Sequence, residues 1–346
     1  MRFILTYVLL LSLNVQGQDL VYSEGVIANY ESGVVAHQNN DSKSAMDFFS
    51  QCIAADSACF EAYYSLGLIH FEAGRLDQTL FNTSKAETLR PFDPQLAGLI
   101  GRASYQKKNF SEAEIYLKRA LSIGDNSADN LLYLALSLQK QNNYIFALHY
   151  FDELLLQNPS KTDYWFNRGL LYVEMEQYEN AINDFKKTLE SSENTVPNIY
   201  YHLAKTSLDL RDGEQCLAYI ADGLAIANKT EKVDLLILKG TFYRDIGEYE
   251  TAEKHYQTAY DLENENPLVL THQAAVMIDL ENYELAIEKC DAAIAISPDQ
   301  MEAYFNRGIA NEMIRNVEQA CSDWQKAFVL GSQKAIHYLN GPVCNE

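Results

Sequence analysis

A spacing of 34 residues constrains this chain more than any other feature. From Ala45, steps of 34 reach Thr79, Ala113, Ala147 and Ala181 without adjustment; the register then continues through Cys216, Ala252, Ala286 and Ala320 in steps of 35, 36, 34 and 34. The same pattern surrounds each anchor. In residues 162–191, Trp165, Gly169 and Tyr172 share one helical face, a polar turn follows, and Ala181, Phe185 and Leu189 fall at i, i+4 and i+8 on a second face. Two apolar stripes separated by a turn make a helical hairpin. Such a hairpin buries its stripes only against its neighbours, so nine units over about residues 26–334 predict a stack. The two longer steps place small insertions at 191–196 and 227–232, where the stack can change direction. No linker divides the rest, and one elongated domain is expected.

Small residues support the register. Gly67, Gly101, Gly169, Gly240 and Gly308 recur where the two helices of a unit should cross, and Ala135, Ala204 and Ala274 fill the same slot. Phe151, Phe185, Tyr256 and Trp324, four residues after the anchors, are expected to fill the space between hairpins, and Trp165 is expected to be buried within the fifth. Proline is excluded from helix interiors but tolerated at a first turn or beyond an end. Pro91, Pro159 and Pro298 follow second helices, Pro94, Pro197 and Pro267 begin first helices, and Pro342 lies in the tail.

Taken together these residues resemble the tetratricopeptide repeat (TPR) family. Tyr63, Leu66, Gly67 and Ala86, with Pro91 closing the unit, fit its pattern, as do Trp165, Gly169, Tyr172, Ala181 and Phe185, and Leu236, Gly240, Tyr243, Ala252, Tyr256 and Ala259. Departures are Thr79 and Cys216 at the second-helix alanine, Arg168 and Arg307 before the glycine, and Gly223 at the last alanine. The resemblance implies an all-α, right-handed superhelical solenoid of about nine hairpins that serves as a binding scaffold. Residues 332–340, SQKAIHYLN, are expected to form a short capping helix, with a tail to residue 346.

Residues 1–17 have the form of a secretory signal: Arg2, a short apolar run, then small residues at Val15 and Gly17. The run is too short to span a bilayer. The mature chain is expected to begin near Gln18, with a lead-in to residue 25, and to be periplasmic or extracellular. The segment resembles the signals of exported proteins from Bacteroidetes-like bacteria. With 27 basic against 48 acidic residues, a formal charge of -21, the chain is a poor match for nucleic acid or an anionic membrane surface.

No catalytic motif stands out. None of His37, His70, His149, His202, His255, His272 and His337 occurs in HExxH or another close ligand spacing, and there is no P-loop or nucleophile elbow. The expectation is a non-enzyme with no metal or cofactor. Three Asn-x-Ser/Thr sequons, at Asn82, Asn109 and Asn228, have meaning only in a eukaryotic secretory pathway. Cys216 and Cys290 occupy core positions. Cys52 and Cys59 flank one inter-repeat turn and could pair. Cys321 and Cys344 are the stronger candidate disulfide, because the capping helix should fold back along the last unit.

In TPR-like solenoids the first helices line the concave face, which implies a groove at the second, fifth, sixth, ninth and twelfth positions of each unit. Among these are Tyr64, Phe71, Tyr133, Phe166, Asn167, Tyr201, His202, Phe305 and Asn306, with Glu61, Asp129, Asp163, Asp234 and Glu302 along one edge. The two-carboxylate clamp of chaperone-binding relatives is not matched: Asn167 and Asn306 fit one position, but Leu132 and Leu136, or Thr271 and Ala275, stand where Lys and Asn belong. The expected partner is a peptide or protein segment with apolar anchors and some Lys or Arg. A docking or regulatory subunit of an envelope-assembly or enzyme complex is the alternative.

Overall fold

The computed structural model describes residues 22–191 and 197–344. The segment read as a signal, most of the lead-in and the insertion at 192–196 lie outside the described residues. The chain divides into two compact units, Met1–Pro159 and Ser160–Glu346.

In the first unit, four hairpins pair α1 (Glu24–Gln38) with α2 (Ser42–Ala55), α3 (Phe60–Glu72) with α4 (Leu76–Leu89), α5 (Pro94–Gln106) with α6 (Phe110–Ser122), and α7 (Ala128–Lys140) with α8 (Tyr144–Gln157). The second unit has five. They pair α9 (Thr162–Glu174) with α10 (Tyr178–Ser191), α11 (Pro197–Asp209) with α12 (Gly213–Ile226), α13 (Lys229–Asp245) with α14 (Tyr249–Leu262), α15 (Pro267–Asp279) with α16 (Tyr283–Ile296), and α17 (Met301–Met313) with α18 (Val317–Val329). A short α19 (Gln333–Leu339) and a 3₁₀ turn at Pro342–Cys344 close this unit. Among the described residues there are nine hairpins and no strand.

Each hairpin turns on one residue with positive φ. Asn40, Gly74, Lys108, Asn142, Glu176, Arg211, Gly247, Glu281 and Arg315 each lie five residues before an anchor, with φ between 57° and 82°. The backbone there closes helix ends in the Schellman manner: Lys108 N–H donates to Tyr105 O at 2.8 Å and Asn109 N–H to Ser104 O at 2.9 Å. Every anchor itself is buried at 0% exposure, including Thr79 and Cys216.

The aromatic after the anchor is seated on the crossing residue of its own hairpin as well as facing the next one. A Cβ added to Gly33 or Gly169 would stand 2.6 Å from the ring of Phe49 or Phe185, and added to Gly240 or Gly308 it would overlap Tyr256 or Trp324. Phe185 also joins Ile199 and Leu203 of α11 in one core cluster. Trp165 departs from expectation, because in α9 the buried aromatic is Tyr164 and Trp165 is only half-buried. The reason is Arg168. Its guanidinium grips buried Asp184 of α10 through Nε–H (2.7 Å) and Nη2–H (2.8 Å), and Trp165 lies over that guanidinium at 4.9 Å. The ninth hairpin repeats this with Arg307, Asp323 and Tyr304.

The second insertion extends a helix. α13 runs for 17 residues where most first helices have 13, and Asn228 begins it with a capping box to Glu231. The other sequon asparagines also have structural places: Asn109 caps α6, and Asn82 is buried and donates to Gln78 O at 2.8 Å.

Candidate functional site

Helical spacing places positions five, nine and twelve of each 34-residue repeat on one face of its first helix, and in the first unit that face borders a cavity of about 260 Å³. Tyr30, Val34 and His37 come from α1, Tyr64, Ser65 and Leu68 from α3, and Gln95 and Arg102 from α5. Asp125, Ser127 and Asp129 close it from the start of α7, and Phe49 of α2 reaches its floor.

Charge inside the cavity is mixed. Arg102 donates to Asp129 at 3.2 Å and lies over the Phe71 ring at 5.5 Å, so both side chains are committed to one another across neighbouring hairpins. Asp125 accepts from Ser127 N–H at 3.2 Å. Tyr64 packs flat on Phe60, at 6.1 Å and 14°, and burial pushes its phenol well above the ordinary tyrosine range. His37 reaches Glu72 at 3.4 Å. This is an apolar floor with a polar rim of mixed charge, a form that suits a segment with apolar anchors.

Glu61, expected at the acidic edge, is buried instead. It takes a hydrogen bond from the Tyr22 hydroxyl at 2.8 Å and an ion pair from Arg90 at 2.6 Å, which together offset the cost of burying its carboxylate. Asp129, Asp163, Asp234 and Glu302 are exposed. Tyr133 packs edge-on against Tyr105 at 5.2 Å.

In the second unit, His202 is the centre of an aromatic cluster. Phe166, Phe185 and Tyr201 lie 5.1, 5.5 and 5.6 Å from it, and burial holds its imidazole below the ordinary histidine range. His272 stacks on Tyr256 at 5.4 Å in the same way. Asn167 donates to Asp163 O at 2.7 Å and Asn306 to Thr271 O at 3.4 Å, so both amides bond within the chain. Phe305 does not face an open groove: Tyr338 of α19 packs edge-on against it at 5.3 Å and also covers Trp324 at 4.7 Å. The capping helix therefore stands where a tenth first helix would. Cys321 and Cys344 are joined in a disulfide with Cα atoms 5.6 Å apart. Cys52, Cys59, Cys216 and Cys290 are buried free thiols.

The groove positions named from the sequence do not include Tyr30, His37, Gln95, Arg102 and Asp125, all of which line the cavity. The first four stand at the fifth, twelfth, second and ninth positions of their units, so the register contained their signal. Asp125 lies in an inter-helix turn that no helical register covers.

Comparison with known proteins gives two family matches. Residues 106–188 match the model for anaphase-promoting complex, cyclosome, subunit 3, and residues 237–300 match a tetratricopeptide repeat model. Stress-induced-phosphoprotein 1 of Caenorhabditis elegans is 22% identical over 212 residues, 59% of this chain and 63% of that protein. The chain thus spans under two thirds of that relative's length. The crystal structure of PilW, a type IV pilus biogenesis factor, superposes with a TM-score of 0.52 at 15% identity over 59% of this chain and 94% of that one. The APC/C hetero-tetramer Cut9-Hcn1 gives 0.52 at 14% identity over 98% of this chain and 66% of that one. Both are likenesses of fold.

Proposed function

Because this chain belongs to the tetratricopeptide-repeat family, we propose that it is an exported, non-catalytic scaffold that holds a segment of a partner protein against its first helices. Proteins of this family in general mediate protein–protein interaction. The observation that carries the finer reading is the cavity of about 260 Å³ in the first unit, lined from α1, α3, α5 and the start of α7. Its apolar walls, Val34, Phe49 and Leu68, suit an aliphatic or aromatic anchor, and the Asp125 carboxylate beside it suits a neighbouring Lys or Arg. The formal charge of -21 favours encounter with such a basic segment. Export is supported by the Arg2 start, the short apolar run and the small residues up to Gly17.

Crosslinking and affinity purification from the exported fraction supplies the partner, and mass spectrometry of the mature N-terminus tests processing near Gly17. Leu68→Arg should weaken binding of that partner tenfold or more, about 1.4 kcal/mol, with the circular dichroism spectrum unchanged. Phe166→Ala with Tyr201→Ala does the same for the aromatic cluster of the second unit. Unchanged affinity in both folded variants rejects the first-helix face, and retention of residues 1–17 in a cytosolic product rejects export. Co-isolation with a stable multisubunit complex, with both variants bound normally, favours a docking subunit instead.

A further inference from the structure

Cys52 lies in the last turn of α2 and Cys59 is the N-cap residue of α3, so the two stand at either end of the turn that joins the first hairpin to the second. That turn is held by its own bonds. Asp56 N–H donates to Cys52 O at 2.8 Å, Cys59 N–H to Asp56 O at 3.1 Å, and Ala58 N–H to the Asp56 carboxylate at 2.8 Å. The Cys52 thiol donates to Val26 O at 3.5 Å. Both sulfurs belong to one core cluster with Val26, Phe49 and Leu66.

The two thiols are inequivalent. Cys59 sits at the N-terminus of α3, where the helix end favours a thiolate, and the neighbouring Cys52 side chain holds its thiol below the ordinary cysteine range despite burial. Cys52 is pushed well above it by the neighbouring Cys59 and by burial. Cys59 also lines a small cavity with Tyr22, Val26, Ile27, Tyr30 and Glu61, whereas Cys216 and Cys290 are pushed upward by burial in separate hairpins. A nucleophilic thiol with an adjacent resolving thiol is the arrangement that thiol–disulfide exchange requires.

We propose that Cys52 and Cys59 form a modification site, a reversible disulfide made by exchange with a disulfide-bearing oxidant. The Cys59 thiolate attacks one sulfur of R–S–S–R, forming a mixed disulfide and expelling RS⁻. The Cys52 sulfur, on losing its proton, attacks the Cys59 sulfur, closes the intramolecular bond and expels the second RS⁻. The two cysteines give up two electrons and two protons, and the oxidant leaves as two R–SH. Both sulfurs are covered, with exposures of 0% and 1%, so exchange proceeds through local opening beneath Tyr22 and Ile27. Tyr30 lines both this small cavity and the groove of the first unit, which sets the pair one ring away from the face assigned to partner binding. The bond itself does not depend on what that face binds.

The test equilibrates the full chain under native conditions with glutathione disulfide or with reduced glutathione, quenches in acid, alkylates, and maps peptides without reduction. With glutathione disulfide, Cys52 and Cys59 should appear cross-linked while Cys216 and Cys290 stay alkylated; reduced glutathione should return the pair to alkylated thiols. In Cys52→Ser, Cys59 should stop as the glutathione mixed disulfide. Recovery of Cys52 and Cys59 as alkylated thiols after full equilibration with the oxidant overturns the proposal. So does oxidation that reaches Cys216 and Cys290 equally, which would mark general unfolding.

Discussion

Gly169 lies so close beneath Phe185, sixteen residues on, that a methyl group at Gly169 would come within 2.6 Å of the ring. The glycine is required by this approach, since its backbone is ordinary α-helix. Gly169→Ala should therefore cost about 1–3 kcal/mol through overpacking, and Phe185→Ala about 3–5 kcal/mol. Trp165→Ala, at a half-buried site, should cost less than Phe185→Ala. Urea titration of the three variants checks the order; a larger loss at Trp165 would mean that the crossing is misplaced.

The hairpin turns give a prediction of opposite sign. Glu176 has φ 57°, a conformation that costs a residue with a Cβ about 1–2 kcal/mol, while Gly247 occupies the same position two units later at φ 82°. Glu176→Gly should raise stability by about 0.5–1 kcal/mol, after the entropy of the more flexible unfolded chain is subtracted. Gly247→Ala should lower it by roughly 1 kcal/mol. Thermal melts of both distinguish a strained turn from a relaxed one, and a destabilised Glu176→Gly would count against the strain.

These turns show where the sequence was legible and where it was not. Period and anchors are written in residue size, so the nine hairpins could be read from Ala45 onward. Positive φ leaves a trace only where Gly or Asn accepts it, as at Gly74 or Asn142; Lys108, Arg211 and Arg315 take the same geometry with no compositional sign. Burial within a helix is likewise decided by partners. Trp165 is half-buried against the guanidinium of the Arg168–Asp184 pair, and Phe305 is covered by Tyr338 from a helix of only seven residues. The lining of the cavity depends on which polar residues converge, and Asp125 enters from a turn outside any helical register.

The arginine pairs replace an apolar contact, so they should fail asymmetrically. Asp323 is 2% exposed and receives Arg307, Asn311 and Gln319. Asp323→Ala leaves the guanidinium without its main counter-charge and should cost about 3–5 kcal/mol. Arg307→Leu with Asp323→Ala restores the apolar residue usual before the crossing glycine and should recover most of the loss. Equilibrium denaturation of the single and double variants decides it, and a double variant as unstable as the single would show that the pair is worth more than an apolar seat.

His272 should make the second unit acid-sensitive. Its ring stacks on Tyr256 at 5.4 Å, and burial, reinforced by the Arg244 charge, brings its pKa from 6.5 down to about 4. Arg244 is itself bound to Asp279, so this cation stays in place. The folded state thus keeps His272 neutral while the unfolded chain takes up a proton below pH 6.5. Stability from this residue is complete above that pH and is lost progressively as pH falls towards 4, by on the order of 3 kcal/mol in all. His202 and His255, also held below the ordinary range by burial, add losses of the same sign. Urea midpoints at pH 7 and pH 4.5 should therefore differ more for the natural chain than for His272→Phe, which keeps a stacked ring and cannot titrate. An equal drop in the two proteins would assign the acid sensitivity elsewhere.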